Sequence, residues 1–103
     1  MSKSPTTTDR LPNPHPGEIL AAEFMLPLGL SQNALARAVH VSPRRINELC
    51  NAQRSVTADT DLRLARYFGL SEGFFLALQA DYDLMERKRD LATELERITP
   101  HAA

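Results

Sequence analysis

The sequence predicts an all-α fold, five helices behind a proline-rich N-terminal tail, and three observations carry that expectation. From Gly17 onward apolar residues recur at spacings of three and four, the period of one helix face, and do not alternate as on a half-buried strand. Ser, Thr, Gly and Pro stand where those runs start and stop. A chain of 103 residues, 43% of them apolar, suffices for one domain with a modest core.

Residues 1–16 hold Pro5, Pro12, Pro14 and Pro16 among Ser, Thr and charged residues, a composition with no apolar face to bury, so a flexible tail is expected there. The first helix, near Glu18 to Met25, uses Ile19, Leu20 and Phe24 and ends at Pro27 and Gly29. The second follows Ser31 as N-cap and runs to about Val39, with Leu35, Ala36 and Val39 inward. Ser42 caps the third, Pro43 takes its first position, where a missing N–H costs nothing, and Ile46 and Leu49 face the core.

For the fourth helix Thr57 and Thr60 compete as caps; it runs through Leu62, Leu64, Ala65 and Phe68 to Gly69. The fifth begins after Ser71 and carries Phe74, Phe75, Leu78, Tyr82 and Met85. Its stripe breaks at Glu86 to Asp90 and can resume at Leu91, Leu95 and Ile98, so residues 87–103 are a helical extension or a tail beyond a domain at residues 17–86.

The net charge of −1 speaks against a protein that coats nucleic acid indiscriminately, but the charges are segregated. Residues 31–56 carry Arg37, Arg44, Arg45 and Arg54 against Glu48, and residues 72–97 carry seven acids against four bases. A basic middle beside an acidic C-terminal part suits a protein that turns one face to phosphate and another elsewhere. No stretch approaches the roughly 20 apolar residues of a membrane span, and Met1 to Arg10 has no signal-peptide core, so the expected location is the cytoplasm.

Cys50 is alone, and His15, His40 and His101 are scattered, so no metal or cofactor is expected. Asp59 with Asp61, or Asp81 with Asp83, could suggest catalytic pairs, but residues two apart on a helix point to different faces. They read as helix N-terminal and surface charges. Without a glycine-rich phosphate loop or a histidine near Cys50 in sequence, an enzyme is not expected.

Between the second and third helices lies only His40-Val41, so the two must cross steeply, as in a helix-turn-helix. Such a turn needs positive φ, usually from glycine; His is among the few other residues enriched in that conformation. On the third helix Ser42, Arg44, Arg45, Asn47, Glu48 and Asn51 are not needed by the core, and Ser42 to Asn51 is expected to read the major groove. Arg can donate twice to guanine O6 and N7, and Asn can pair with adenine N6 and N7. The plainer alternative is a solubilising turn in which Arg44 or Arg45 pairs with Glu48. Gln32 and Asn33, opening the second helix, and Asn51, Gln53 and Arg54 after the third are candidate phosphate holders.

The blocks His15-Pro16-Gly17-Glu18-Ile19-Leu20, Pro27 to Ala36, Arg44 to Glu48, Thr57 to Thr60 and Leu62 to Arg66 resemble the HigA (VapI-like) antitoxins of the Xre/lambda-repressor-like class. The resemblance spans about residues 15–84. It implies a lambda-repressor-like helix-turn-helix domain, a homodimer on an inverted-repeat operator in its own promoter, and a HigB toxin partner, a RelE-like ribonuclease. By position it places Gln32, Pro43, Arg44, Arg45 and Asn47 at DNA. His40 in place of Gly, and Asn51-Ala52-Gln53-Arg54 in place of Asn-Gly-Lys-Arg, depart from the family pattern. Phe74, Phe75, Leu78 and Tyr82 are core residues or a dimer seam, since a small domain has difficulty covering four large apolar groups. Competing readings are a stand-alone repressor without a toxin and a protein-interaction adaptor that has lost DNA binding.

Overall fold

The computed structural model describes residues 11–102; the part of the expected tail at residues 1–10 lies outside them. Among the described residues the fold is five helices and no strand. They are α1 (Pro16–Ile19, continuing as a π-helical turn, Leu20–Met25), α2 (Gln32–Val39), α3 (Pro43–Cys50), α4 (Ala58–Phe68) and α5 (Phe74–Glu96).

Side-chain caps start the first four helices; those of α2, α3 and α4 stand where the sequence marks them, while α1 begins two residues earlier than expected, on a cap the sequence reading did not name. His15 Nδ1 accepts from Gly17 N at 2.9 Å, Ser31 Oγ from Ala34 N at 3.1 Å, and Ser42 Oγ from Arg45 N at 3.2 Å. Thr57, not Thr60, is the cap of α4, its Oγ1 accepting from Thr60 N at 3.4 Å, while Thr60 is buried.

Four helices end alike: α1 at Gly29, α2 at His40, α3 at Ala52 and α4 at Gly69, each with a residue of φ between 59° and 70°. In each case the next residue donates back to the carbonyl five before it, from Leu30 to Met25, Val41 to Ala36, Gln53 to Glu48 and Leu70 to Ala65. His40 therefore holds the left-handed conformation expected of the turn, at φ 62° and ψ 47°.

Leu20, Met25, Leu35, Ala36, Val39, Ile46, Leu49, Val56, Leu64 and Phe75 form the core. The π turn, closed by Leu26 N donating to Ala21 O, widens α1 so that Leu20 and Met25, five apart, both reach it. Leu62 is 48% exposed beside an open groove between α4 and the end of α2. Leu64 and Ala65 take the inward face of α4, which leaves Leu62 on the other side.

The tail expectation is corrected at residues 13–16. His15 and Pro16 are buried, the His15 ring meets Tyr82 edge-on at 4.9 Å, and Asn13 Nδ2 donates to Tyr82 O and Glu86 Oε2. Capping α1 and covering α5 gives this polar segment a place that its composition alone does not reveal.

Helix α5 differs from expectation at its start, and at its end it takes the helical one of the two alternatives. It begins at Phe74 rather than just after Ser71, with Gly73 at φ 94° as the capping residue and no side-chain cap of its own. The cap comes from α4: Asp61 accepts from Gly73 N, Phe75 N and Leu76 N at 2.6, 2.8 and 3.1 Å. Asp61 is thus a buried structural acceptor, 1% exposed, and not the surface charge expected from its type. At the far end α5 continues unbroken through Glu86 to Asp90, where Glu, Arg and Lys are good helix formers that need no apolar stripe, and stops at Glu96.

Candidate nucleic-acid interface

Ser31 fixes where α2 begins and Ser42 where α3 begins, and the left-handed His40 turns the chain from one helix into the other. Leu35, Ala36 and Val39 of one helix then meet Ile46 and Leu49 of the other. The residues of α3 that this packing does not use, Pro43, Arg44, Asn47 and, just past its end, Asn51, form an exposed polar face.

Within that face the structure joins residues that the sequence keeps apart. Asn47 Nδ2 donates to Gln32 Oε1 at 3.1 Å, so the start of α2 and the middle of α3 present one amide pair. Arg44 and Arg54 are brought together by Glu48, which accepts from Arg44 Nε at 2.8 Å and from Arg54 Nε and Nη2 at 3.1 and 2.8 Å. Hydrogen bonds from Arg44 and then Arg54 hold the Glu48 carboxyl below the usual carboxylate range. The pairing of Arg44 with Glu48 that a solubilising turn would make is therefore present. Solvent screens exposed pairs of this kind, so they leave the arginines available to a phosphate or a base.

Arg45 is held differently. Its Nη1 donates to Asp59 Oδ2 at 2.7 Å, and Arg63 Nε donates to the same oxygen at 2.9 Å. The two arginines, Arg63 first, keep the Asp59 carboxyl low. Arg63 Nη1 continues to Val39 O at 2.9 Å and His40 O at 3.2 Å, the carbonyls at the turn.

Asp59 and Arg63 were not among the site residues expected from sequence. Their i,i+4 spacing was a visible signal for their own pair, but the link to Arg45 depends on the packing of α4 beside α3. Ser42 spends its hydroxyl on the α3 cap, and Asn33, Pro43, Asn51 and Gln53 are exposed without a side-chain bond to the rest of the group.

Elsewhere, Cys50 is half-buried with its Sγ 3.8 Å from Met25 Sδ, and burial pushes the thiol above its ordinary range, the opposite of an activated nucleophile. Asp59 and Asp61 do face apart: one meets arginines, the other caps α5. Among the described residues no cluster of metal-ligating side chains occurs, and no helix is long and apolar enough to cross a membrane. Of the four α5 residues considered for a subunit seam, Phe75 is fully buried in its own chain and has no surface for a partner. Leu78 and Tyr82 are half-covered, and Phe74 is 37% exposed at the edge of a ring cluster with Phe24 and Phe75.

The helix-turn-helix family model matches residues 22–75, which include all of α2 to α4. Virulence-associated protein I of Dichelobacter nodosus is 51% identical over 86 residues, covering 84% of this chain and 80% of its own. The antitoxin HigA of Pseudomonas aeruginosa, solved with the higBA promoter, superposes with a TM-score of 0.84 at 37% identity, over 88% of this chain and all of its own. An addiction module antidote protein of a HigA family from Coxiella burnetii gives 0.83 at 38% identity over the same shares. By the match across α2 to α4 and the likeness along most of its length, this chain belongs to the helix-turn-helix family and, within it, to the HigA- and VapI-like proteins.

Proposed function

We propose that this protein is the DNA-binding antitoxin of a type II toxin–antitoxin pair, a cytoplasmic homodimer that represses its own operon and neutralises a HigB/RelE-like, mRNA-cleaving toxin. The observation that carries the reading is the polar surface of α3 and its flanks, where Gln32 meets Asn47, Glu48 joins Arg44 to Arg54, and Asp59 holds Arg45, with donors and acceptors suited to base edges and phosphates. The likeness to an antitoxin solved with its promoter supports it.

Arg44, Arg45 and Asn47 supply base readout; Gln32 and Asn33, at the start of α2, and Arg54, Asn51 and Gln53, in the loop after α3, hold the backbone. One such helix reads only a few base pairs, so discrimination requires two copies. A two-fold places their α3 helices in successive major grooves about 34 Å apart, on an inverted repeat.

Titration of a duplex carrying the chain's own promoter tests this. Arg45→Ala lowers specific affinity by about 1–3 kcal/mol, and binding weakens steeply with salt. Operator affinity within twofold of wild type for both Arg44→Ala and Arg45→Ala at fixed salt refutes the assignment of α3. Co-purification with the product of an adjacent small ribonuclease-like reading frame separates an antitoxin from a stand-alone repressor.

A further inference from the structure

Arg44 and Arg45 are neighbours with opposite restraints. Arg44 has a side chain 85% exposed and a partner, Glu48, on its own helix. Arg45 has a side chain 31% exposed, and its partner Asp59 sits on α4, outside the helix pair that faces DNA. Asp59 is itself anchored, because Arg63 grips the same oxygen at 2.9 Å and reaches on to the carbonyls of Val39 and His40. A continuous chain of hydrogen bonds thus runs from the helix-turn-helix turn through Arg63 and Asp59 to the Arg45 guanidinium.

We propose that Asp59 is a positioning residue for base recognition: it fixes the orientation of Arg45 and so sets how sharply Arg45 prefers guanine. The proposal rests on the DNA-binding reading above and deepens it. An arginine side chain carries about 2 kcal/mol of rotamer entropy, and a guanidinium free to swing can donate to a phosphate, to guanine or to thymine O4. Two parallel donors on guanine O6 and N7 require one plane and one direction. A carboxylate bound to one Nη1 proton narrows the orientations the guanidinium can take while leaving other donors of the five-donor fork unspent. The support comes from a second helix tied to backbone carbonyls, so it does not swing with the arginine it holds. The charge of Asp59 also opposes nearby phosphate, which weakens non-specific binding and sharpens the contrast.

The test uses the full-length protein at fixed salt, with wild type, Arg45→Ala, Asp59→Asn and the double variant. Each is titrated with the operator and with duplexes altered one base pair at a time through a half-site, and melting temperatures confirm equal folding of these exposed-site variants. The expected result is that Asp59→Asn loses about tenfold on the operator and flattens preference at the same base pair as Arg45→Ala. It should add little in the Arg45→Ala background.

If Asp59→Asn instead tightens binding to every duplex alike, Asp59 is only a mask over Arg45 and the proposal is overturned. The same holds if Asp59→Asn keeps the full preference at the base pair where Arg45→Ala loses it. Loss of the proposal alone is recognisable because Arg45→Ala still acts. An inert Arg45→Ala removes both the proposal and the reading beneath it.

Discussion

Gly17 packs its α-carbon directly on the backbone of Leu49: a β-carbon built at Gly17 would fall 1.6 Å from the Leu49 carbonyl oxygen and 2.5 Å from its carbon. This close approach seats α1 against the back of α3, with Ile46 and Leu49 buried between them and the rest of the core. The support of α3 therefore depends on a residue with no side chain.

The expected outcome for Gly17→Ala is a loss of about 3 kcal/mol or more, because the colliding atoms are backbone and cannot rotate away. Gly29 and Gly69 are the comparison, since nothing lies within 4 Å of a β-carbon there and only their positive φ resists substitution. Urea unfolding of Gly17→Ala and Gly69→Ala, with the alanine at Gly69 costing about 1 kcal/mol, separates a packing requirement from a conformational one.

Asp61 accepts three backbone N–H groups at the start of α5, which has no side-chain cap of its own. Asp61→Ala leaves those donors without a partner, one of them at the fully buried Phe75, and is expected to cost about 3 kcal/mol or more. Asp61→Asn keeps one acceptor oxygen but turns an amide N–H₂ towards the other donors, so it falls between. Denaturant melts of the two variants check the order; equal stability of Asp61→Ala and wild type would remove Asp61 as the cap.

The features legible in the sequence are those settled within a few residues. Ser31, Ser42 and Thr57 cap the helices they precede, and the two-residue connector His40-Val41 forces a left-handed residue whatever its side chain. Periodicity identifies Leu35, Ile46, Leu49 and Leu64 as inward because each lies on a narrow apolar stripe. What stayed hidden depends on partners far along the chain. Asp61 caps a helix beginning thirteen residues later, Asn13 binds Tyr82 and Glu86, and Asp59 meets Arg45 across two helices. The polar face of α3 was legible as a group, whereas the grouping of Gln32 with Asn47 and of Arg44 with Arg54 required the crossing of α2 and α3 and the left-handed Ala52.

His40 and Ala52 hold φ of 62° and 59°, conformations that glycine adopts without strain. Replacing each by Gly relieves the clash between Cβ and the following carbonyl but loosens the unfolded chain, so a gain of about 0.5–1 kcal/mol is expected at each. His40→Val, which is β-branched, is expected to lose stability instead. Thermal melts give both signs. A His40→Gly variant less stable than wild type would show that the imidazole makes a contribution larger than the strain.

His15 offers a pH-dependent test of the docked N-terminal segment. It is 3% exposed, and its Nδ1 accepts the Gly17 N–H at 2.9 Å, a bond that requires that nitrogen to be unprotonated. Burial pushes its pKa below the ordinary histidine value, partly countered by Glu18 and Asp83 nearby. In the unfolded chain the ring takes a proton near pH 6.5, while in the folded chain it resists until lower pH. Between those two points the unfolded state binds more protons, so stability is complete above about pH 6.5 and falls as the solution is acidified. The carboxyls of Glu48 and Asp59, both held low, titrate only below the usual carboxylate range and leave this window clear. His15→Asn keeps a side-chain oxygen to cap α1 but does not titrate. Melting curves between pH 7.5 and 5 should therefore slope for wild type and flatten for His15→Asn, and an unchanged slope in the variant would mean that another group drives the acid sensitivity.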